Sequence, residues 1–180
     1  NGTFHLNHAL ILDNLDDFSG ALTAYEKASL DPHVDRGDLW ANKAATYLKM
    51  GHIERGLRYA DKALEQNPRH EGARGSRAFA RFQLGPDTGP AWDDYSALLG
   101  GQFRKVNDYG VGVWNGEPGH RLIVQGEQGL GDELMYASCL MDLIAKGDCE
   151  DIALDVDMRT VRLLRNSFPG IKCYGSRAAN

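Results

Sequence analysis

The stretch GEQGLGDEL, residues 126–134, sets three glycines within six positions directly ahead of two carboxylates. Gly126 and Gly131 have the spacing of a triphosphate-binding loop, but Asp132 and Glu133 stand where that loop needs a lysine and a hydroxyl. Carboxylates there repel a triphosphate. A dinucleotide fingerprint is half met by Gly129 and Gly131, with Leu134 in place of the third glycine. It would need Asp155 or Asp157, at the end of the next apolar run, to face a ribose. What the loop does supply is a carboxylate at a helix start, and two roles compete for Asp132. As an N-cap it would satisfy free amides of the first turn. As a general base it would take a proton from an acceptor hydroxyl.

Other residues with chemical potential carry less. His5 and His8 are spaced to share a metal on a helix, but no third ligand is placed to close the site, so no metal is expected. Cys139, Cys149 and Cys173 are odd in number and lack a C-x-x-C spacing, which suits reduced thiols rather than a disulfide framework or zinc site. No cofactor is called for. Arg74, Arg77 and Arg81 recur at helical spacing behind Arg69 and His70; the stripe either docks an acidic peptide or forms a solvated face.

The glycine loop must be held by strands. RLIVQG, DIALDVD and IKCYG read as strands, with GLGDELMYASCLMDLIAKG and MRTVRLLRNSF as the helices between them. That order is a βαβαβ unit with parallel strands and right-handed crossovers, whose ligands meet the carboxyl ends of the strands. Residues 101–119 are glycine-rich and read as a linker with a short strand at 109–114, and Trp114 is expected to anchor packing.

The first hundred residues repeat. ALTAYEKASLDP and GLRYADKALEQNP align with Tyr25/Tyr59 and Ala28/Ala63 lying 34 and 35 residues apart, which is the tetratricopeptide period. Trp40, Tyr47, Gly51, Ala63 and Pro68 supply a wedge, an aromatic, a turn, a small contact and a stop. A third copy runs through Ala78, Phe82, Gly85, Ala91, Trp92 and Tyr95. Helices are expected at 3–14, 18–30, 37–50, 53–66, 71–84 and 89–99. Asn7 and Asn42 occupy the same place in the first helix of their pairs. There they either line a groove for the backbone of an extended peptide or are tolerated surface polars. Ser76 breaks the series in the third pair.

Composition limits the rest. A formal charge of -5 and pI near 5.6 give no general attraction to nucleic acid. No apolar run approaches the roughly 20 residues a membrane span needs. With no leader visible at Asn1, a cytoplasmic location is expected.

The combination VWNGEPGHRLIVQGEQGLGDELMYASCL, then CEDIALDVDMRTVRLLRNSFPGI, resembles bacterial tetratricopeptide-repeat proteins with a C-terminal glycosyltransferase domain of the lipopolysaccharide heptosyltransferase-like kind. The resemblance implies two facing Rossmann-like domains, with this chain carrying the start of the acceptor-side one. It implies a catalytic base at Asp132, matched through Gly131-Asp132, with Glu127, Gln128, Gly129 and Gly131 shaping the acceptor-side loop. Nucleotide-sugar and a glycan or protein acceptor are then partners of a longer parent, since the donor-binding domain is absent and this chain alone is expected to be inactive. The expected architecture is an α-helical solenoid at 1–100, a linker at 101–119 and a partial Rossmann-like unit at 120–180. The expected partner of the solenoid is a protein or peptide in its groove. A unit of that size leaves a parallel sheet with an open edge, which is expected to pack on the repeats or on another copy of the chain. The alternatives are a non-catalytic repeat scaffold and a nucleotide-cofactor domain.

Overall fold

The computed structural model describes residues 1–99, 101, 106–126 and 129–177. The chain divides into two compact units, Asn1–Arg104 and Lys105–Asn180.

The first unit is three helical pairs: α1 (Gly2–Asn14) with α2 (Phe18–Ala28), α3 (Arg36–Lys49) with α4 (Ile53–Gln66), and α5 (Glu71–Leu84) with α6 (Gly89–Ser96). Side chains that can accept from free amides start most of them. Asn1 and Asp17 cap α1 and α2, and Asp35 accepts the Asp38 amide at 2.8 Å to cap α3. His70 caps α5 by accepting the Ala73 amide on Nδ1, which leaves its Nε2 to donate to Asp38 3.0 Å away. Gly51, at φ +77°, takes the left-handed turn between α3 and α4 that a side chain would resist.

Small residues let the helices approach. Ala9, Ala21, Ala24 and Ala28 surround the fully buried Tyr25 together with Val34 and Leu39. Burial pushes the Tyr25 hydroxyl up to about 12, against the opposing pull of its hydrogen bond with Thr46. Ala41, Ala63, Leu64 and Ala73 form the next core, under Trp40. Polar groups cross each joint between pairs. Asp13 of α1 accepts the Thr46 hydroxyl of α3 at 2.7 Å and pairs with Lys49, while Lys43 of α3 pairs with Glu26 of α2.

Two arginines of the α5 stripe, Arg77 and Arg81, are engaged within the repeat unit. Arg77 grips the buried Asp94 of α6 through Nε at 2.7 Å and a terminal nitrogen at 2.6 Å, and reaches Asp61 of α4 at 3.4 Å. Arg81 adds a bond to the same carboxylate at 2.8 Å. Arg74 donates to the Pro68 carbonyl.

The second unit is a parallel sheet in the order β1 (His120–Gln125), β2 (Cys149–Asp157), β3 (Lys172–Arg177), with helices between the strands. Right-handed crossovers taken in this order put every helix on one face. Leu154 and Val156 accordingly point to that side and pack with Leu140, Leu164, Phe168 and Cys173. The expected single helix after the loop is two, α7 (Leu130–Ala137) and α8 (Cys139–Lys146), with α9 (Val161–Ser167) following β2. The break falls at Ser138, whose amide and hydroxyl both bond to the Met135 carbonyl. Residues 109–114 form no strand. Gly110 at φ +68° turns the chain there, with its amide held by the Asp108 side chain. The Trp114 indole donates locally to the Glu117 carbonyl.

Candidate functional site

The carboxyl ends of the three strands carry the site. β1 ends at Gln125, paired with Asp155 of β2, and the Gly126 amide extends that ladder to the Asp155 carbonyl at 2.8 Å. Asn107, ahead of β1, is clamped beside Gln125: its amide donates to Gln125 Oε1 at 2.7 Å and its carbonyl accepts from Nε2 at 2.8 Å. The same asparagine donates its side-chain amide to the buried Asp155 carboxylate at 2.7 Å. Tyr109 and Ser176 donate their hydroxyls to that carboxylate.

Asp155 is therefore a hub joining all three strand ends to the segment before β1. Burial alone would raise its carboxyl, but the hydrogen bonds from Ser176, Tyr109 and Asn107 together outweigh burial and hold it below the ordinary carboxylate value. Burial and the neighbouring Asp155 charge push the Tyr109 hydroxyl up. A carboxyl lowered on folding contributes stability that is complete above the unfolded-chain value, near about pH 4, and is lost as pH falls through the lower folded value. Asp155→Asn should lower the stability of this unit at neutral pH by about 1–3 kcal/mol and flatten its acid limb. Urea midpoints at neutral pH and on the acid limb check this; an unchanged acid limb would show that another group governs it.

Glu133 supports the loop from below. Its buried carboxylate accepts the Asp157 amide at 3.0 Å and the Thr160 hydroxyl, tying the start of α7 to the turn between β2 and α9. It also explains Gly126, because a Cβ there would lie 2.1 Å from Glu133 Oε2.

Asp132 does not cap the helix. Gly129 holds the cap position, without a side chain to bond, and Asp132 lies in the first turn. It is exposed, and among the described residues its side chain makes no hydrogen bond. It leans back over Gly129, where an added Cβ would meet its Oδ2 at 2.8 Å. Gly131 is exposed beside it, and Glu127 and Gln128 lie outside the described residues. The acids that a dinucleotide site would need are both engaged. Asp155 holds its three donors, and Asp157 takes the Arg159 guanidinium on both oxygens at 2.9 and 2.8 Å.

In the repeat unit, Asn7 is exposed on α1 and Asn42 half-buried on α3, and neither side chain is hydrogen-bonded among the described residues. Reading the sequence alone missed Glu133, Asn107, Tyr109, Gln125 and Ser176. Glu133 had a legible signal, since it follows Asp132 on a helix whose inner face must be apolar or satisfied. Asn107 and Tyr109 had none within an irregular glycine-rich segment.

Residues 37–70 match the tetratricopeptide repeat family. Along 93% of its length the chain is similar to Protein FlbA of Caulobacter vibrioides, with 29% identity over 175 residues, and it spans 29% of that longer protein. The solved structure of the second tetratricopeptide-repeat domain of Spaghetti (RPAP3), bound to the HSP90 peptide SRMEEVD, matches 54% of this chain and 84% of its own at a TM-score of 0.50. With 20% identity, that likeness concerns the fold alone. The chain contains a tetratricopeptide repeat and is distantly similar to FlbA. No described helix is long and apolar enough to cross a membrane.

Proposed function

We propose that the chain is a protein-binding repeat module joined to the acceptor-side start of a sugar-transferring α/β domain. The observation that carries the catalytic half is Asp132: exposed at the strand ends, in the first turn of α7, and free of any capping duty. In the longer parent, the acceptor hydroxyl gives its proton to Asp132 as its oxygen bonds to the anomeric carbon. The bond to the nucleoside diphosphate breaks with its electron pair on the leaving phosphate. Gly129 and Gly131 keep the approach to that carboxylate open. No protein cofactor enters.

The repeat half takes an extended peptide along its first helices, and the unengaged amides of Asn7 and Asn42 support recognition through the peptide backbone. The RPAP3 domain holds an acidic peptide. Here Arg77 and Arg81 are committed to Asp94, so acidic side chains are not what these arginines select.

The test uses the native polypeptide with its natural ends, incubated with nucleotide-sugars and candidate acceptors. Asp132→Asn keeps the shape and removes the base, so turnover should fall at least about a hundredfold while nucleotide-sugar binding stays unchanged. Transfer by the variant at the wild-type rate would remove Asp132 from the reaction. Absence of binding and turnover in the wild type would favour the alternative, a non-catalytic repeat scaffold.

A further inference from the structure

An apolar stripe runs along α1 and onto its C-cap, where Phe4, Ile11 and Leu15 are 64, 58 and 72% exposed, with the exposed His8 between them. Phe4 stacks on His8 with ring centroids 6.1 Å apart. These four residues sit at helical spacing on one face. In a repeat structure the same face appears again one repeat later, and there its first three positions are covered, while Met50, the counterpart of Leu15, is 36% exposed. Gly2 and Gly37, Asn7 and Asn42, and Ala9 and Ala44 each lie 35 residues apart. By that register Phe4, His8 and Ile11 correspond to Leu39, Lys43 and Thr46 of α3, which are 1, 4 and 0% exposed. Leu39 joins the core around Tyr25 of α2, Lys43 pairs with Glu26 of α2, and Thr46 bonds to Asp13 of α1.

The structure thus contains the occupant of this face one repeat further on: chiefly the second helix of the pair ahead, joined at Thr46 by Asp13 of its first helix. We infer that α1 is an internal helix of a longer array, and that its Phe4–His8–Ile11 face docks the second helix of a preceding tetratricopeptide repeat in the same polypeptide. The charges give that helix a further property. Glu26 of α2 meets Lys43, and Asp61 of α4 meets Arg77. Each second helix places an acid against a cation on the first helix of the next pair, so the docking helix should carry an acid opposite His8. Terminal repeats of such arrays present a polar outer face, which α1 does not. The similarity to a protein of which this chain spans 29% leaves room for such a repeat. This inference is independent of Asp132 and of sugar transfer.

Thiol labelling with peptide mapping tests it, comparing Ile11→Cys with Ser19→Cys, an exposed control on α2. In the 180-residue chain both introduced thiols should react as open sites. In the native polypeptide the thiol at position 11 should react at least about tenfold more slowly, while position 19 is unchanged. Equal rates at position 11 in the two proteins, or a native polypeptide with no helix ahead of α1, overturn the inference. Protection in the 180-residue chain that grows with its own concentration also overturns it, and would assign the face to a second copy.

Discussion

Asp94→Ala is expected to cost the helical unit about 3–5 kcal/mol, a large share of what holds a domain of this size together. Asp94 is buried on α6 and accepts three hydrogen bonds from two guanidinium groups, two of them in the parallel fork that suits arginine to a carboxylate. Truncation leaves Arg77 and Arg81 half-buried beside a hole. Among the described residues, Arg77 keeps only the longer contact to Asp61, 3.4 Å away, and Arg81 keeps the Pro90 carbonyl at 3.3 Å. The strong pairing with Asp94 is also the main reason the Arg77 guanidinium is held above its ordinary value. The loss should fall on the third pair, because α6 has only eight residues and a helix that short depends on packing rather than on its own propensity. Asp94→Asn, which keeps an acceptor but loses the charge, should cost less than the alanine variant. Urea unfolding followed by helical circular dichroism measures both. A loss for the alanine variant below about 1 kcal/mol, the range of an exposed ion pair, would mean that the cluster is open to water.

That cluster also marks the limit of what the sequence discloses. The helical pairs were legible because the repeat writes itself in residues chosen for backbone reasons: alanine where helices touch, Gly51 at the turn, Pro68 after the stop. Such choices are local and recur at a fixed interval. The role of Arg77 and Arg81 depends on a single aspartate more than a dozen residues later, and nothing in the spacing of cations on one helix reveals it. The α/β unit divides similarly. Its strands were legible from apolar runs bounded by glycine, whereas the break at Ser138 rests on competition for one carbonyl. The missing strand at 109–114 follows from turn-forming glycines and from a tyrosine drawn to Asp155. At the loop, Asp132 has the composition of a cap, but the cap position lies three residues earlier, at Gly129. A local preference for aspartate at caps lost to the glycine turn and to Glu133, whose buried carboxylate fixes where α7 begins.

Glu133 therefore carries the second large effect. Glu133→Ala removes the acceptor for the Asp157 amide and the Thr160 hydroxyl and opens a cavity under the loop; the expected loss is about 3 kcal/mol in the α/β unit. Glu133→Gln keeps one carbonyl oxygen for the Asp157 amide, and the Thr160 hydroxyl can rotate to accept from the new amide, so part of the loss should return. Gly126→Ala probes the same contact from the other side. Its methyl would meet Glu133 Oε2 at 2.1 Å, closer than any real contact, and either the loop or the carboxylate must move. The two substitutions should not add. Once Glu133 is shortened, the methyl at position 126 has space, and the double variant should be no less stable than Glu133→Ala alone, with a coupling of about 1–3 kcal/mol. Urea unfolding gives the energies, and hydrogen exchange across 149–167 shows whether the β2–α9 turn opens with the loss of its anchor. Additive losses would mean that Gly126 is required for a reason other than Glu133. Protection unchanged in Glu133→Ala would mean that the turn holds α7 in place without this carboxylate.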